Sequence, residues 1–281
     1  MKIQPNKHKT GLVLPGGGAR GAFQVGVLKA IAELLPPGAS NPFPIISGTS
    51  AGAINSVVLA TRARHFGVAV EALEHVWANF HCAQVYRSDS LTMLKSSLHW
   101  MAALMLGGNL VGTPRSLLDN APLRALLSRK VRFPRLAKGL DAGWIEAVAV
   151  TAAGYATARS TTFFEATDAH KNWSRTRRSG VRGTLSLDHL MASIAVPMIF
   201  PPVRIAGEYF GDGAMRQATP LSPAVHLGAD RILVIGVRDE TADPGIEPGQ
   251  EQPFPSMATI AGYMLDTLFM DGLYSDLERL T

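Results

Sequence analysis

Leu12-Val13-Leu14-Pro15-Gly16-Gly17-Gly18-Ala19-Arg20-Gly21 is followed, one helix and one short strand later, by Gly48-Thr49-Ser50-Ala51-Gly52. The second segment has the G-x-S-x-G form of a nucleophile elbow. In that motif a serine stands on a sharp strand-to-helix turn, and the flanking glycines keep side chains out of neighbouring backbone. The first segment is a glycine-rich turn opening a helix, where free backbone N–H groups can hold an anion or a developing oxyanion. Around them, residues 11–14 and 44–47 read as short buried strands. Phe23, Val27, Ile31 and Leu34 recur at helical spacing until Pro36-Pro37 ends the run, and residues 51–60 are small, apolar and helix-compatible. Strand, turn, helix, strand, turn, helix is an α/β arrangement. It puts Ser50 just past the carboxyl end of a buried strand, the edge at which open α/β sheets bind ligands. A serine nucleophile beside an anion cradle points to acyl transfer.

The same glycines also fit G-x-G-x-x-G, the dinucleotide fingerprint, which asks for an acidic residue roughly 20 positions further on to take the ribose hydroxyls. No Asp or Glu lies between Glu33 and Glu71, so a nucleotide-binding oxidoreductase is the weaker reading. With 281 residues, 47% of them hydrophobic, the chain can build one large α/β domain around a substantial core. We expect a single domain over residues 1–281, with a core at about 11–237 and a C-terminal helical segment at 257–281. The lone Cys82 excludes an intramolecular disulfide. The first ten residues are mostly polar and no long apolar run follows, so neither a signal peptide nor a membrane span is expected. The expected location is cytoplasmic or peripheral to a membrane, with signal-independent secretion left open. The net charge of +5 draws partly on Arg175, Arg177, Arg178 and Arg182, which read as a solvated loop rather than an anionic-lipid patch. No aromatic interleaving marks them for nucleic acid.

Further along, residues 68–80 and 114–127 read as amphipathic helices, 144–151 and 161–165 as strands, and 187–195 as a helix ended by Pro197. Val203-Arg204-Ile205 and Glu208-Tyr209-Phe210 read as a hairpin turned by Ala206-Gly207, and residues 232–237 as a strand of a central parallel sheet. Residues 91–111 are rich in Leu and Met, with Trp100, and admit two readings. One is a core helix; the other is a lid that seats the protein on a lipid surface.

An activated serine needs a base. His65, His75, His81, His99, His170, His189 and His226 follow Ser50, and none stands at a strand end beside glycines. Asp212 does, in Gly211-Asp212-Gly213-Ala214 directly after a strand. Flanking glycines let a carboxylate and a ligand approach closely, and partial burial raises a carboxylate's proton affinity into a useful range. The expectation is a Ser50–Asp212 dyad.

Four ordered segments carry a resemblance. They are Gly16-Gly17-Gly18-Ala19-Arg20-Gly21, Gly48-Thr49-Ser50-Ala51-Gly52, Ala192-Ser193-Ile194-Ala195-Val196-Pro197 with Phe200-Pro201-Pro202, and Asp212-Gly213-Ala214. Together they resemble the patatin-like phospholipase family. The resemblance implies a three-layer α/β/α fold with a mainly parallel central sheet, and a serine acyl hydrolase of the phospholipase A or lysophospholipase type. It implies Ser50 and Asp212 as catalytic residues, Gly16, Gly17 and Gly18 as the oxyanion hole, and Gly48 and Gly52 as elbow glycines. Arg20 reads either as a surface arginine or as a group that orients the loop or meets a phosphate. No metal and no cofactor are implied, and the expected partner is a lipid or membrane-surface substrate. A neutral-lipid esterase or thioesterase using the same dyad is the alternative. Acyl length, headgroup, regiochemistry and oligomeric state are not written in these motifs.

Overall fold

The computed structural model describes residues 8–87, 98–103, 105, 116–217, 219–237, 254–257, 259, 260, 262 and 263. Among them the strands are β1 (Thr10–Leu14), β2 (Ile45–Thr49), β3 (Ala147–Gly154), β4 (Ser160–Ala166), β5 (Trp173–Ser174), β6 (Arg178–Arg182), β7 (Val203–Ile205), β8 (Glu208–Asp212) and β9 (Arg231–Val234). The helices are α1 (Gly21–Leu34), α2 (Ala51–Ala60), α3 (Phe66–Ala78), α4 (Cys82–Val85), α5 (Ala121–Lys130), α6 (Pro134–Asp141), α7 (Leu187–Ser193) and α8 (Ser222–His226).

The sheet order is β5-β6-β4-β3-β2-β1-β9, and the block β3-β2-β1-β9 is parallel throughout. Strands covered on both faces favour apolar and small residues, and β1 to β3 are buried along almost their whole length. Alternate residues serve two cores. Leu12, Leu14, Ile46, Val148 and Val150 pack under α1, α2, α3, α5, α6 and α7 on one face. Val13, Ile45, Ala147 and Ala149 pack against Leu221, Ala224 and Leu227 on the other. The fold is therefore α/β/α in three layers, with the second helical layer thin among the described residues, since α8 has only five residues.

One pairing positions the site. Strand β3 outruns β2: it pairs with β2 in parallel as far as Thr49↔Thr151, and its next residue pairs antiparallel with β8 at Ala152↔Asp212. Two consecutive residues of β3 thus hold the end of β2 and the end of β8 side by side.

Several sequence expectations are corrected. Helix α5 begins at Ala121, not at 114, because residues 117 and 118 donate to the carbonyls of Met198 and Ile199, and Asp119 Oδ1 caps the Ala121 N–H at 2.9 Å. Of the arginines expected in a loop, Arg175 and Arg177 do lie exposed in the β5–β6 connection, whereas Arg178 and Arg182 lie in strand β6. In the hairpin, Arg182 bonds the Ala166 carbonyl and Asp168, and Arg178 bonds Thr219. Strand β9 is parallel as expected but pairs only with β1, so it ends the sheet among the described residues. In α1, Phe23 and Leu34 are exposed and the buried face is Gly21, Gln24, Val25 and Leu28. The 203–210 hairpin is as expected, with Ala206 (φ 48°) and Gly207 (φ 91°) in its two-residue turn. Of residues 91–111, only 98–103 and 105 are described. They are helical, with Leu98, Met101 and Met105 exposed. The rest of residues 91–111 lies outside the described residues, as does most of the C-terminal helical segment expected at 257–281.

Candidate active site

Ser50 caps α2 with φ 53° and ψ −125°, a left-handed backbone that non-glycine residues rarely adopt. The surroundings force that turn. A Cβ on Gly52 would lie 1.9 Å from the Leu14 carbonyl oxygen, and one on Gly48 would lie 2.3 Å from the Gly52 carbonyl oxygen, so both glycines are required by close backbone approach. The strained amide is tied down: Ser50 N–H donates to Ser193 Oγ at 2.9 Å, and Ser193 in turn donates to the Thr151 carbonyl at 2.7 Å. Helix α7 and β3 therefore grip the elbow from behind.

Asp212 faces the serine. Ser50 Oγ donates to Asp212 Oδ2 at 2.7 Å, while the other carboxyl oxygen accepts from Ala214 N–H at 2.9 Å. The aspartate's own N–H donates to the Ala195 carbonyl at 2.8 Å. Asp212 is 1% exposed, and burial pushes its carboxyl up to about 7 against the opposing effect of the Ser50 and Ala214 hydrogen bonds. A carboxylate near neutrality, in contact with a strained hydroxyl, is equipped to take and return a proton.

The glycine turn lies against this pair. A Cβ on Gly16 would stand 3.2 Å from Ser50 Cβ and 3.6 Å from Ala214 Cβ. Gly18 takes φ 56°, and Arg20 N–H donates to the Gly17 carbonyl at 3.1 Å, closing a 3-10 turn over Gly18–Arg20. Among the described residues, no acceptor takes the amides of Gly16, Gly17 or Gly18. Arg20 is exposed at the end of that turn.

Three of the histidines are engaged elsewhere. His189 Nδ1 accepts from Ser186 N–H to cap α7, His226 stacks on Trp173 at 4.1 Å, and His170 lies 3.9 Å from Glu146. Sequence reading missed the groups that hold the site. Ser193 owes its place in the site to two distant partners, the Ser50 amide and the Thr151 carbonyl. Gln217, whose amide oxygen accepts from Thr49 Oγ1, carried no local signal. Gln24 and Asn55 are fully buried amides on α1 and α2. The available signal was the single amide in the otherwise small or apolar run of residues 51–60.

A family model described as patatin-like phospholipase matches residues 12–225. A protein named lysophospholipase nte1, from Aspergillus terreus, is 55% identical over 53 residues, which are 19% of this chain and 3% of that protein. Among solved structures, VipD from Legionella pneumophila is similar at 17% identity and a TM-score of 0.44, covering 75% of this chain and 46% of that one. The ExoU–SpcU complex of the Pseudomonas aeruginosa type III secretion system is similar at 21% identity and a TM-score of 0.26, covering 57% of this chain and 33% of the other. The matched stretch is thus a small part of the curated relative and less than half of either solved chain.

Proposed function

As the chain belongs to the patatin-like phospholipase family, we propose that it hydrolyses acyl esters of lipids through a Ser50–Asp212 dyad with the amides of Gly16–Gly18 as its oxyanion hole. The observation that carries this reading is the 2.7 Å hydrogen bond from Ser50 Oγ to a buried carboxyl raised to about 7. Asp212 takes the hydroxyl proton as Oγ attacks the acyl carbonyl, and the glycine amides receive the charge that develops on the carbonyl oxygen. Asp212 returns the proton to the leaving alcohol. It then draws a proton from water, which attacks the acyl-enzyme carbon, and passes that proton to Ser50 Oγ as the acyl–oxygen bond breaks and the carboxylic acid leaves. The unused amides beside Ser50 support the loop's part in this sequence.

The substrate class we propose is phospholipid or lysophospholipid, and the local likeness to a protein named a lysophospholipase makes the latter the first to assay. The test is product analysis by mass spectrometry after wild-type and Ser50→Ala proteins are incubated with a mixed lipid extract. Free fatty acid and a deacylated phospholipid, formed by the wild type alone, are expected. Release from triglyceride or acyl thioester alone would move the assignment to the neutral-lipid esterase or thioesterase reading. Equal release by Ser50→Ala would overturn the dyad.

A further inference from the structure

Two fully buried amides join the helix that opens from the glycine turn to the helix that opens from the elbow. Gln24 on α1 and Asn55 on α2 are each 0% exposed, in a region otherwise packed with apolar side chains. Their hydrogen bonds form one directed chain. Trp77 Nε1 of α3 donates to Asn55 Oδ1 at 2.9 Å. Asn55 Nδ2 donates to Gln24 Oε1 at 2.9 Å and to the Gly21 carbonyl at 3.1 Å. Gln24 Nε2 donates to the Pro15 carbonyl at 2.9 Å and to the Ile235 carbonyl, just beyond β9, at 3.3 Å. All four amide protons of the pair are used, so it meets the condition under which a buried polar network specifies geometry rather than weakening the core.

The carbonyls it selects give the network its meaning. Pro15 and Gly21 are the residues immediately before and after Gly16–Arg20, so the amides hold both ends of the glycine turn. Asn55 lies on the first turns of the helix capped by Ser50. At Gly21 a Cβ would come within 3.0 Å of both Ala51 Cβ and Trp77, so turn, elbow helix and indole meet there with no space to slide. Apolar residues of similar size would fill the same volume and leave both ends of the turn free to shift against α2.

We infer that Gln24 and Asn55 are positioning residues for the proposed reaction: they fix the amides of Gly16–Gly18 against Ser50, and so determine how well the transition-state oxyanion is held. This rests on the serine-hydrolase reading above. Displacing oxyanion donors by a fraction of an ångström lowers turnover while leaving ground-state lipid binding largely unchanged.

The test uses the full chain with Gln24→Met, which keeps volume and removes both backbone anchors, and with Val57→Ala, a fully buried truncation elsewhere on α2. Assays run at least 15 °C below each variant's melting temperature. Gln24→Met is expected to lower kcat by roughly 10- to 100-fold with KM changed less than about threefold, and to weaken a trifluoromethyl ketone analogue of the substrate by a similar factor. Val57→Ala is expected to lose stability with little change in either quantity. Asn55→Ser, which frees the Gly21 carbonyl, supplies the second arm should Gln24→Met fail to fold, and the same kcat-selective loss is expected. A folded Gln24→Met or Asn55→Ser with wild-type kcat and inhibitor affinity overturns the inference, as does a loss no larger than that of Val57→Ala. An active Ser50→Ala overturns the underlying reading instead, so the two failures are distinguishable.

Discussion

Asp212 combines an unfavourable position with the proposed chemistry. Its carboxyl is buried and raised to about 7, well above the ordinary carboxylate range, so the folded state holds a proton that the unfolded chain releases in mild acid. For a group raised in this way, the stability present below the unfolded value is lost as pH climbs toward the folded one. Asp212→Asn, which can keep both hydrogen bonds, should therefore melt higher than wild type at pH 8 and nearly level with it at pH 4. Thermal unfolding across that range is the check, and an equal difference at both ends would contradict the assignment. On the rate side, kcat/KM for a soluble ester should climb with pH along a limb centred near 7, as Asp212 ionises. Ser50→Ala and Asp212→Asn should each lower ester turnover by roughly 10³-fold or more, with the double variant no worse than either, because residues acting as a unit are non-additive. A fluorophosphonate probe, mapped by peptide mass, should label Ser50 in the wild type; a principal adduct on another serine would count against the elbow.

At the level of elements, the glycines differ in what a side chain would strike. A Cβ on Gly52 meets backbone, the Leu14 carbonyl oxygen at 1.9 Å, and nothing there can yield. Gly52→Ala should therefore fail to fold or melt far below wild type in circular dichroism. A Cβ on Gly17 meets Val237 Cγ2 at 2.3 Å, a side chain near the end of the described β9 segment. A bulky residue at Gly17 should accordingly leave the far-ultraviolet spectrum intact and slow turnover by roughly 10²-fold, the effect of displacing an oxyanion donor. The elements that were legible in the sequence are those with a local cause. The G-x-S-x-G turn, the 51–60 helix and the Ala206-Gly207 hairpin each follow from spacing and turn chemistry. What was not legible depends on partners distant in sequence. The start of α5 is set by bonds to the 198–199 segment, and the arginine-bearing hairpin by pairing with β4. The roles of Gln24 and Asn55 depend on carbonyl partners on other elements. The carboxylate was identified from its flanking glycines, but its register beside Thr151 on β3 is a tertiary fact.

On the scale of the molecule, an enzyme of aggregated lipid needs a face that meets the aggregate as well as a site that cleaves. Leu98, Met101 and Met105 lie on helical backbone and are exposed, Met105 by 79%. Isolated exposed apolar residues are ordinary, but methionines one helical turn apart suit a deformable lipid contact. Met101→Ser with Met105→Ser should weaken sedimentation with phospholipid vesicles by several-fold and leave hydrolysis of a short soluble ester unchanged. Parallel loss of soluble activity and melting temperature would assign the segment to the core. Among the described residues, no helix is long and apolar enough to cross a membrane. The proposed catalytic pair also spans the fold: Ser50 and Asp212 are 162 positions apart and are joined by β3, which lies between them in the chain. During synthesis the serine leaves the ribosome long before its aspartate, and until β8 docks on β3 the hydroxyl has no base. On this proposed chemistry the nascent chain stays inert toward the cell's own membranes until β8 has been made and has docked on β3. On the same proposal, a fragment cut off by proteolysis or premature termination before β8 would lack esterase activity.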